Sequence, residues 1–69
     1  MSKLTDEQWV SLQKSFITYH HQGMRLGQSY MNALFDDNPE IYNQIRGTHI
    51  DPFYNDGALI QFINYLKQS

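Results

Sequence analysis

The sequence predicts an all-α fold, a small bundle of three to four helices. Three observations lead to this prediction. Apolar side chains recur at spacings of three, four and seven residues, as they do on the buried face of an α-helix. Residues typical of helix starts and ends separate the periodic segments. No segment shows the apolar–polar alternation of a half-buried strand. We expect helices at about 6–22, 24–35, 39–46 and 57–67.

The first helix is predicted to begin at Asp6, directly after a capping box formed by Thr5 and Gln8. The Thr hydroxyl and the Gln amide can each satisfy a backbone N–H group that lacks a partner at a helix N-terminus. Apolar residues then occupy one broad arc of this helix, as expected of a face that packs against a core. They are Trp9, Leu12, Phe16, Ile17 and Tyr19.

The same apolar phase continues through Gly23 to residue 35. One straight helix over 6–35 would be about 45 Å long, whereas a compact chain of this size is only about 28 Å across. Glycine is the residue best suited to end a helix, so we favour a break or kink at residues 21–23. One kinked helix over both segments remains open, as does an overhanging helix that packs in a dimer.

The third helix has clearer boundaries. Asn38 is a candidate N-cap, Pro39 occupies the first helical position and Glu40 adds an acid to the first turn, a combination typical of helix starts. Gly47 then supplies a stop signal. These residues predict a short helix over 39–46.

A connector over residues 48–54 precedes the last helix, and its Asp51 and Pro52 favour a turn. We expect the last helix to begin near Asp56, which would act as its N-cap. Apolar residues at helical spacing follow, which places one face of this helix in the core. They are Leu59, Phe62, Ile63 and Leu66.

Composition restricts the classes of function. The chain has 69 residues, a formal net charge of −2 and no Cys, which excludes disulfides and thiolate metal sites. Its longest apolar stretches are about four residues, far below the roughly 20 of a membrane helix. We therefore expect residues 1–69 to form a single helical domain that makes no membrane contact and lies in the cytoplasm.

The histidines are the first candidates for a catalytic or metal-binding role. His20 and His21 point about 100° apart on a helix, so they cannot share a metal ion. His20 lies on the apolar arc, where a buried or half-buried ring with a structural hydrogen bond is favoured over a ligand-facing imidazole. His49 with Asp51 could act as a general base, but no nucleophile or second acid follows at a recognisable spacing. We predict no catalytic, metal or cofactor site and no enzymatic activity.

Charged residues indicate little about partners. Residues 36–56 contain five of the seven acids, and we favour structural use at helix starts over a docking face for a basic partner. The basic residues are scattered, so nucleic-acid binding is poorly supported. They are Lys3, Lys14, Arg25, Arg46 and Lys67.

Aromatic residues favour a partner. The chain has four Phe, five Tyr and one Trp, more than a domain this small can bury, so exposed aromatic surface is expected. Gly23 and Gly27, four residues apart, could admit a foreign helix, although close packing within the monomer is the favoured interpretation.

Two segments of the sequence resemble segments of known proteins. Residues 25–32 read R-L-G-Q-S-Y-M-N, and residues 45–54 read I-R-G-T-H-I-D-P-F-Y. They resemble the R-x-G-Q-x-x-x-N and I-R-G-T-x-x-D-x-F-Y segments of short uncharacterised proteins from bacteriophages and bacterial genomes, and the resemblance covers roughly residues 20–66. That family has no established activity. The resemblance implies a helical fold and, in a phage context, a non-enzymatic accessory protein that acts by binding in the host cytoplasm.

We predict that the chain is a protein-interaction module that binds a host protein or a second copy of itself. A nucleic-acid-associated regulator that uses a short helix around Arg46 is the alternative. Arg46 can make bidentate contacts, although it could instead pair with Asp51 or Asp56 within the chain, while Phe53 fills the core. The predicted interaction residues are Arg46, Gly47, Thr48, Asp51, Phe53 and Tyr54.

Overall fold

Four α-helices form the fold in the computed structural model, which describes residues 3–67. No strand occurs in that part of the chain, and the predicted all-α bundle is confirmed. A short 3-10 turn, Asp56–Ala58, leads directly into the last helix. The helices are α1 (Asp6–His21), α2 (Leu26–Asp37), α3 (Pro39–Ile45) and α4 (Leu59–Lys67).

The start of α1 has the predicted capping box. The backbone N–H of Gln8 donates to Thr5 Oγ1 at 3.1 Å, and the backbone N–H of Thr5 donates to Gln8 Oε1 at 2.9 Å. Asp6 and Glu7 occupy the first turn, where negative charge interacts favourably with the helix dipole. Local sequence is therefore sufficient to set this boundary.

Helices α1 and α2 are separate, so the alternative of one kinked helix is wrong. The backbone N–H of Gly23 donates to the carbonyl of His20 at 3.0 Å and closes the end of α1. Gly23 has a φ of +95°, a conformation that glycine adopts without a steric penalty. The described residues span 32 × 25 × 18 Å, which could not contain a straight helix of about 45 Å. Residues 22–25 form the break, and α2 begins two residues later than predicted.

Helix α3 begins at the predicted residue and ends one residue before the predicted 46. Asn38 is its N-cap and Pro39 its first residue, but the Asn38 side chain forms no capping hydrogen bond. The helix ends at Ile45, and Arg46 is the C-cap. Gly47 follows with a φ of +77°, the left-handed conformation that commonly ends a helix.

The predicted N-cap of the last helix is wrong. Asn55, one residue earlier, caps the 3-10 turn, because its Oδ1 accepts the backbone N–H of Gly57 at 3.0 Å. Asp56 lies inside the turn and faces α2 instead, where its Oδ1 accepts the backbone N–H of Gly27 at 3.0 Å. The carboxylate that the local pattern assigned to an N-cap therefore accepts a hydrogen bond from a residue distant in sequence.

One hydrophobic cluster joins all four helices. Phe62 of α4 is fully buried; its ring lies 5.7 Å from that of Tyr30, which in turn stacks on Phe16 of α1 at 4.0 Å. None of the helices in the described residues is long and apolar enough to cross a membrane. The buried members of the cluster are Leu4, Leu12, Met31, Ala33, Leu34, Ile41, Ile45, Phe62 and Leu66.

Candidate interaction surface

Asp51 holds the connector together through its two carboxylate oxygens. Oδ2 accepts the backbone N–H of Gly47 at 2.8 Å, and Oδ1 accepts the backbone N–H of Phe53 at 2.9 Å. Hydrogen bonds from backbone N–H groups to a carboxylate are stronger than neutral ones. Three of the six predicted interaction residues therefore have a structural role in the loop.

The connector also packs against the start of α2. Arg25 Nη2 donates to the carbonyl of Phe53 at 3.0 Å, and a Cβ added to Gly27 would lie only 1.9 Å from the carbonyl oxygen of Pro52. Close packing within the monomer, the favoured interpretation for Gly23 and Gly27, is thus confirmed for Gly27 and wrong for Gly23, which is exposed with no atom within 4 Å of an added Cβ. The two segments that carry the family resemblance contact each other here, so much of their distinctive sequence serves the fold.

Arg46 and Tyr54 stay on the surface. Tyr54 is 85% exposed, and its ring makes an edge contact with half-buried Phe53 at 4.7 Å. Arg46 is exposed at the end of α3. Among the described residues, Arg46 forms neither of the ion pairs that the sequence offered as an alternative, and the carboxylates of Asp51 and Asp56 accept backbone N–H groups. Contact of Arg46 and Tyr54 with a partner stays a prediction.

A groove of about 590 Å³ lies between the α3–connector segment and α4; we call it the α3–α4 groove. The Tyr65 hydroxyl donates to Gln44 Oε1 across it at 3.1 Å. Thr48, the one predicted interaction residue in its lining, donates to the carbonyl of Ile45 at 2.6 Å. Among the described residues, no carboxylate, ammonium or guanidinium group lines the groove. Its residues are Gln44, Thr48, His49, Ile50, Gln61, Asn64 and Tyr65.

The outward side of α4 continues this neutral surface. Ile60 is 74% exposed, and a shallow apolar pocket of about 290 Å³ adjoins it, formed with Tyr30. Asn64 lines both this pocket and the α3–α4 groove, so the two concavities adjoin at this residue. We define the α4 face as Leu59, Ile60, Gln61, Ile63 and Asn64.

The α4 face is not evident from local sequence patterns, because two of its apolar residues, Leu59 and Ile63, have the helical spacing of core residues. A signal for it was nevertheless present. Ile60 is an aliphatic residue outside the arc of Phe62 and Leu66, and residues 57–66 contain no charged side chain. A helix with only one buried face normally carries charges on its other face.

A rim of hydroxyl and carboxylate groups joins α1 to the end of α2. The Ser11 and Ser15 hydroxyls donate to Asp37 at 2.9 and 3.2 Å, and the Tyr19 hydroxyl donates to Asp36. Acids at a helix C-terminus are disfavoured by the dipole, and these donors offset that effect. The hydrogen bond to Asp36, with smaller contributions from desolvation and from the charges of Asp36 and Asp37, raises the pKa of Tyr19 above its ordinary value of 10.0.

The histidines have separate environments. His20 is exposed, so the expectation that it is buried or half-buried is wrong; it does form a structural hydrogen bond, with Nδ1 donating to the carbonyl of Met24 at 3.0 Å. Its ring stacks on Phe16 at 5.6 Å. His49 lines the α3–α4 groove, while Asp51 is occupied by backbone groups. Within residues 3–67, no group of three or more His, Cys, Asp or Glu side chains could hold a metal ion.

Basic side chains remain dispersed in the fold. Lys3 Nζ lies 5.0 Å from the centre of the Tyr65 ring, and Lys67 Nζ lies 5.0 Å from that of Trp9. Arg25 contacts the connector. Lys3, Lys67 and Arg25 thus each have an aromatic or carbonyl partner.

No protein-family model, curated protein or solved structure matches the chain. The resemblance of residues 25–32 and 45–54 to phage and bacterial proteins therefore stays a prediction. A proposal for the function of this chain rests on the chemistry of its surface.

Proposed function

We propose that the protein is a small, non-enzymatic protein-interaction module that binds its partner through the α4 face. The observation that carries this proposal is a run of ten uncharged residues, 57–66, on a helix whose Ile60 is 74% exposed. The cores of protein interfaces are depleted of charged residues and enriched in apolar ones. A surface of this composition can be covered without desolvating a charge.

The α4 face is also pre-organised. Phe62 and Leu66 are fully buried, so they hold α4 in place while Ile60 projects outwards. A partner therefore does not have to order this helix on binding, which reduces the entropic cost of association. Full burial of an aliphatic side chain such as Ile60 contributes about 1.5–3 kcal/mol.

The family resemblance extends the proposal to a biological setting. In this setting, the protein is a cytoplasmic accessory protein of a bacteriophage or bacterium, and it binds a host protein or a second copy of itself. Arg46 and Tyr54, both exposed, would add polar and aromatic contacts to the interface. Gly47, Thr48, Asp51 and Phe53 would support it by holding the connector.

A nucleic-acid-associated regulator around Arg46 has less support. Phosphate contacts usually require several cations on one element, and Arg46 is the one basic residue of α3 and the connector. Lys3 and Lys67 lie over aromatic rings elsewhere.

The proposal can be tested by changing Ile60→Lys, which places a charge at the centre of the α4 face. Ile17→Lys is the matched control, because Ile17 is an exposed aliphatic residue on α1. We expect Ile60→Lys to abolish self-association, measured by sedimentation velocity, or capture of a specific protein from a bacterial lysate, measured by quantitative mass spectrometry. Ile17→Lys should retain both, and both variants should melt like the wild type.

Two results would contradict the proposal. One is a wild-type chain that is strictly monomeric and captures no protein above background. The other is an association that Ile60→Lys and Ile17→Lys weaken equally, which would place the binding surface elsewhere.

A further inference from the structure

Three carboxamides line the α3–α4 groove, those of Gln44, Gln61 and Asn64. A carboxamide has the same donor and acceptor groups as a peptide unit, so it can bond both the C=O and the N–H of one peptide. Gln44 Oε1 already accepts the Tyr65 hydroxyl, which leaves its NH₂ as a donor. Gln61 and Asn64 are exposed and form no side-chain hydrogen bond within the described residues.

The spacing of these amides suits an extended chain. Gln61 and Asn64 are three residues apart on α4, which places their Cβ atoms about 5–6 Å apart on one side of the groove. Alternate residues of an extended peptide are about 6.6 Å apart and direct their backbone groups to the same edge. The two flexible side chains can therefore reach successive backbone groups on one edge of such a peptide, and Gln44 lies across the groove from them.

The lining also restricts the charge of the occupant. Within the described residues, the lining contains no carboxylate, ammonium or guanidinium group; its ring nitrogens come from His49, and Lys3 Nζ lies 5.0 Å from the centre of the Tyr65 ring. A charged residue bound among the carboxamides of the groove would therefore lose hydration without an ion-pair partner there. Nucleic acids do not fit, because phosphates require cations. Ile50 and Tyr65, both half-buried, supply apolar contact for a neutral side chain.

Within the described residues, a second copy of this chain offers no long uncharged segment in extended form. Its uncharged stretch over residues 57–66 is the 3-10 turn and α4, anchored by the buried side chains of Phe62 and Leu66. Residues 26–35 are also uncharged but form most of α2, which is part of the core. To enter the groove in extended form, either segment would have to leave its own core.

We infer that the α3–α4 groove binds an extended, uncharged peptide segment of a different protein, through the carboxamides of Gln44, Gln61 and Asn64. This inference rests on the proposed function and deepens it: the α4 face docks on the partner's surface, and the groove receives a segment of its main chain.

The probe is a random-peptide display library, selected on the full chain. Peptides are then resynthesised with capped ends and titrated against the wild type, a Gln61→Ala/Asn64→Ala double variant and an Asn43→Ala/Gln22→Ala control. Asn43 and Gln22 are exposed amides outside the groove lining. We expect uncharged peptides whose affinity falls about tenfold in the double variant, since two hydrogen bonds contribute about 1.4 kcal/mol together. The control should bind like the wild type.

Backbone N-methylation of a selected peptide tests the extended conformation directly. We expect affinity to fall at alternate positions, because alternate N–H groups point to the same edge. Selection of charged peptides, no enrichment over the double variant, or an N-methylation scan without alternation would overturn the inference. If the groove fails these tests while Ile60→Lys still abolishes partner binding, the proposed function stands without it. A dimer that dissociates in the double variant would show a second copy in the groove and overturn the inference as well.

Discussion

The connector and the α1–α2 rim are held by different kinds of hydrogen bond. In the connector region, carboxylates accept backbone N–H groups: Asp51 bonds those of Gly47 and Phe53, and Asp56 bonds that of Gly27. At the rim, the carboxylates accept side-chain hydroxyls on an exposed surface. Both regions use acidic side chains, but only the connector uses them to position the main chain.

This difference predicts how each region responds to change. The backbone N–H groups of Gly27 and Phe53 are partly buried, and such a group that loses its partner costs about 1–3 kcal/mol, because it cannot turn towards water. An exposed hydroxyl can rotate and bind water instead, so exposed polar pairs contribute little. Substitutions at the contact between α2 and the connector should therefore destabilise the fold more than substitutions at the rim.

The largest effect is expected for Gly27→Ala. The new Cβ would lie 1.9 Å from the carbonyl oxygen of Pro52 and 2.9 Å from Asp56 Oδ1, so the connector would have to move away from α2. Overpacking of this kind costs about 1–3 kcal/mol, and we expect a loss near the upper end in urea denaturation. Leu26→Ala, at the neighbouring exposed position, should cost about 1 kcal/mol or less. Wild-type stability in Gly27→Ala would show that the connector does not depend on this close contact.

A smaller effect is expected for Gly23→Ala, at the break between α1 and α2. No atom lies within 4 Å of the added Cβ, so the penalty comes from the backbone alone. A φ of +95° is strained for any residue with a Cβ, and a loss of about 1–2 kcal/mol follows. Gly23→Asn should lose less, because Asn tolerates left-handed conformations. A thermal melt distinguishes the outcomes, since stabilisation by Ala would indicate a continuous helix.

The smallest effect is expected for Tyr19→Phe, which removes one donor from the rim. Its dependence on pH is the sharper test. The folded-state pKa of Tyr19 is raised by the hydrogen bond to Asp36, so the stabilisation is fully present below the unfolded value of about 10 and is lost as the pH rises through the folded value. Above pH 10, the urea midpoint of the wild type should fall more steeply than that of Tyr19→Phe. Parallel curves for the two proteins would contradict the assignment.

Local sequence was a good guide where neighbouring residues provide the structural signal. The capping box at Thr5, the Pro39 start of α3 and the stop at Gly47 were all predicted and found, since each involves residues within one helical turn. The assignment failed at Asp56, where a local N-cap pattern competed with the N–H group of Gly27, 29 residues away in sequence. A single-segment pattern contains no information about that competitor.

The residues of the candidate site likewise divide into those that local sequence predicts and those that depend on tertiary contacts. The distinctive residues of the connector were recognisable, but whether Asp51 and Phe53 face a partner or support the loop depends on contacts that form only when the connector packs on α2. The α3–α4 groove was not predicted at all, because its lining comes from three segments that are ordinary amides and aromatics when taken separately. Ile60 and the absence of charged residues over 57–66 were the signs of the α4 face in the sequence.

Helix content, the break at Gly23 and most helix ends follow from periodicity and capping, since these depend on interactions between near neighbours. The contact of Gly27 with Pro52, the hydrogen bond of Asp56 to α2 and the position of Asn64 between two concavities follow from the assembled bundle. Each helix buries one face in a shared core, and this packing determines which of the remaining helix faces lie next to each other. The pattern of a single segment contains no information about that arrangement.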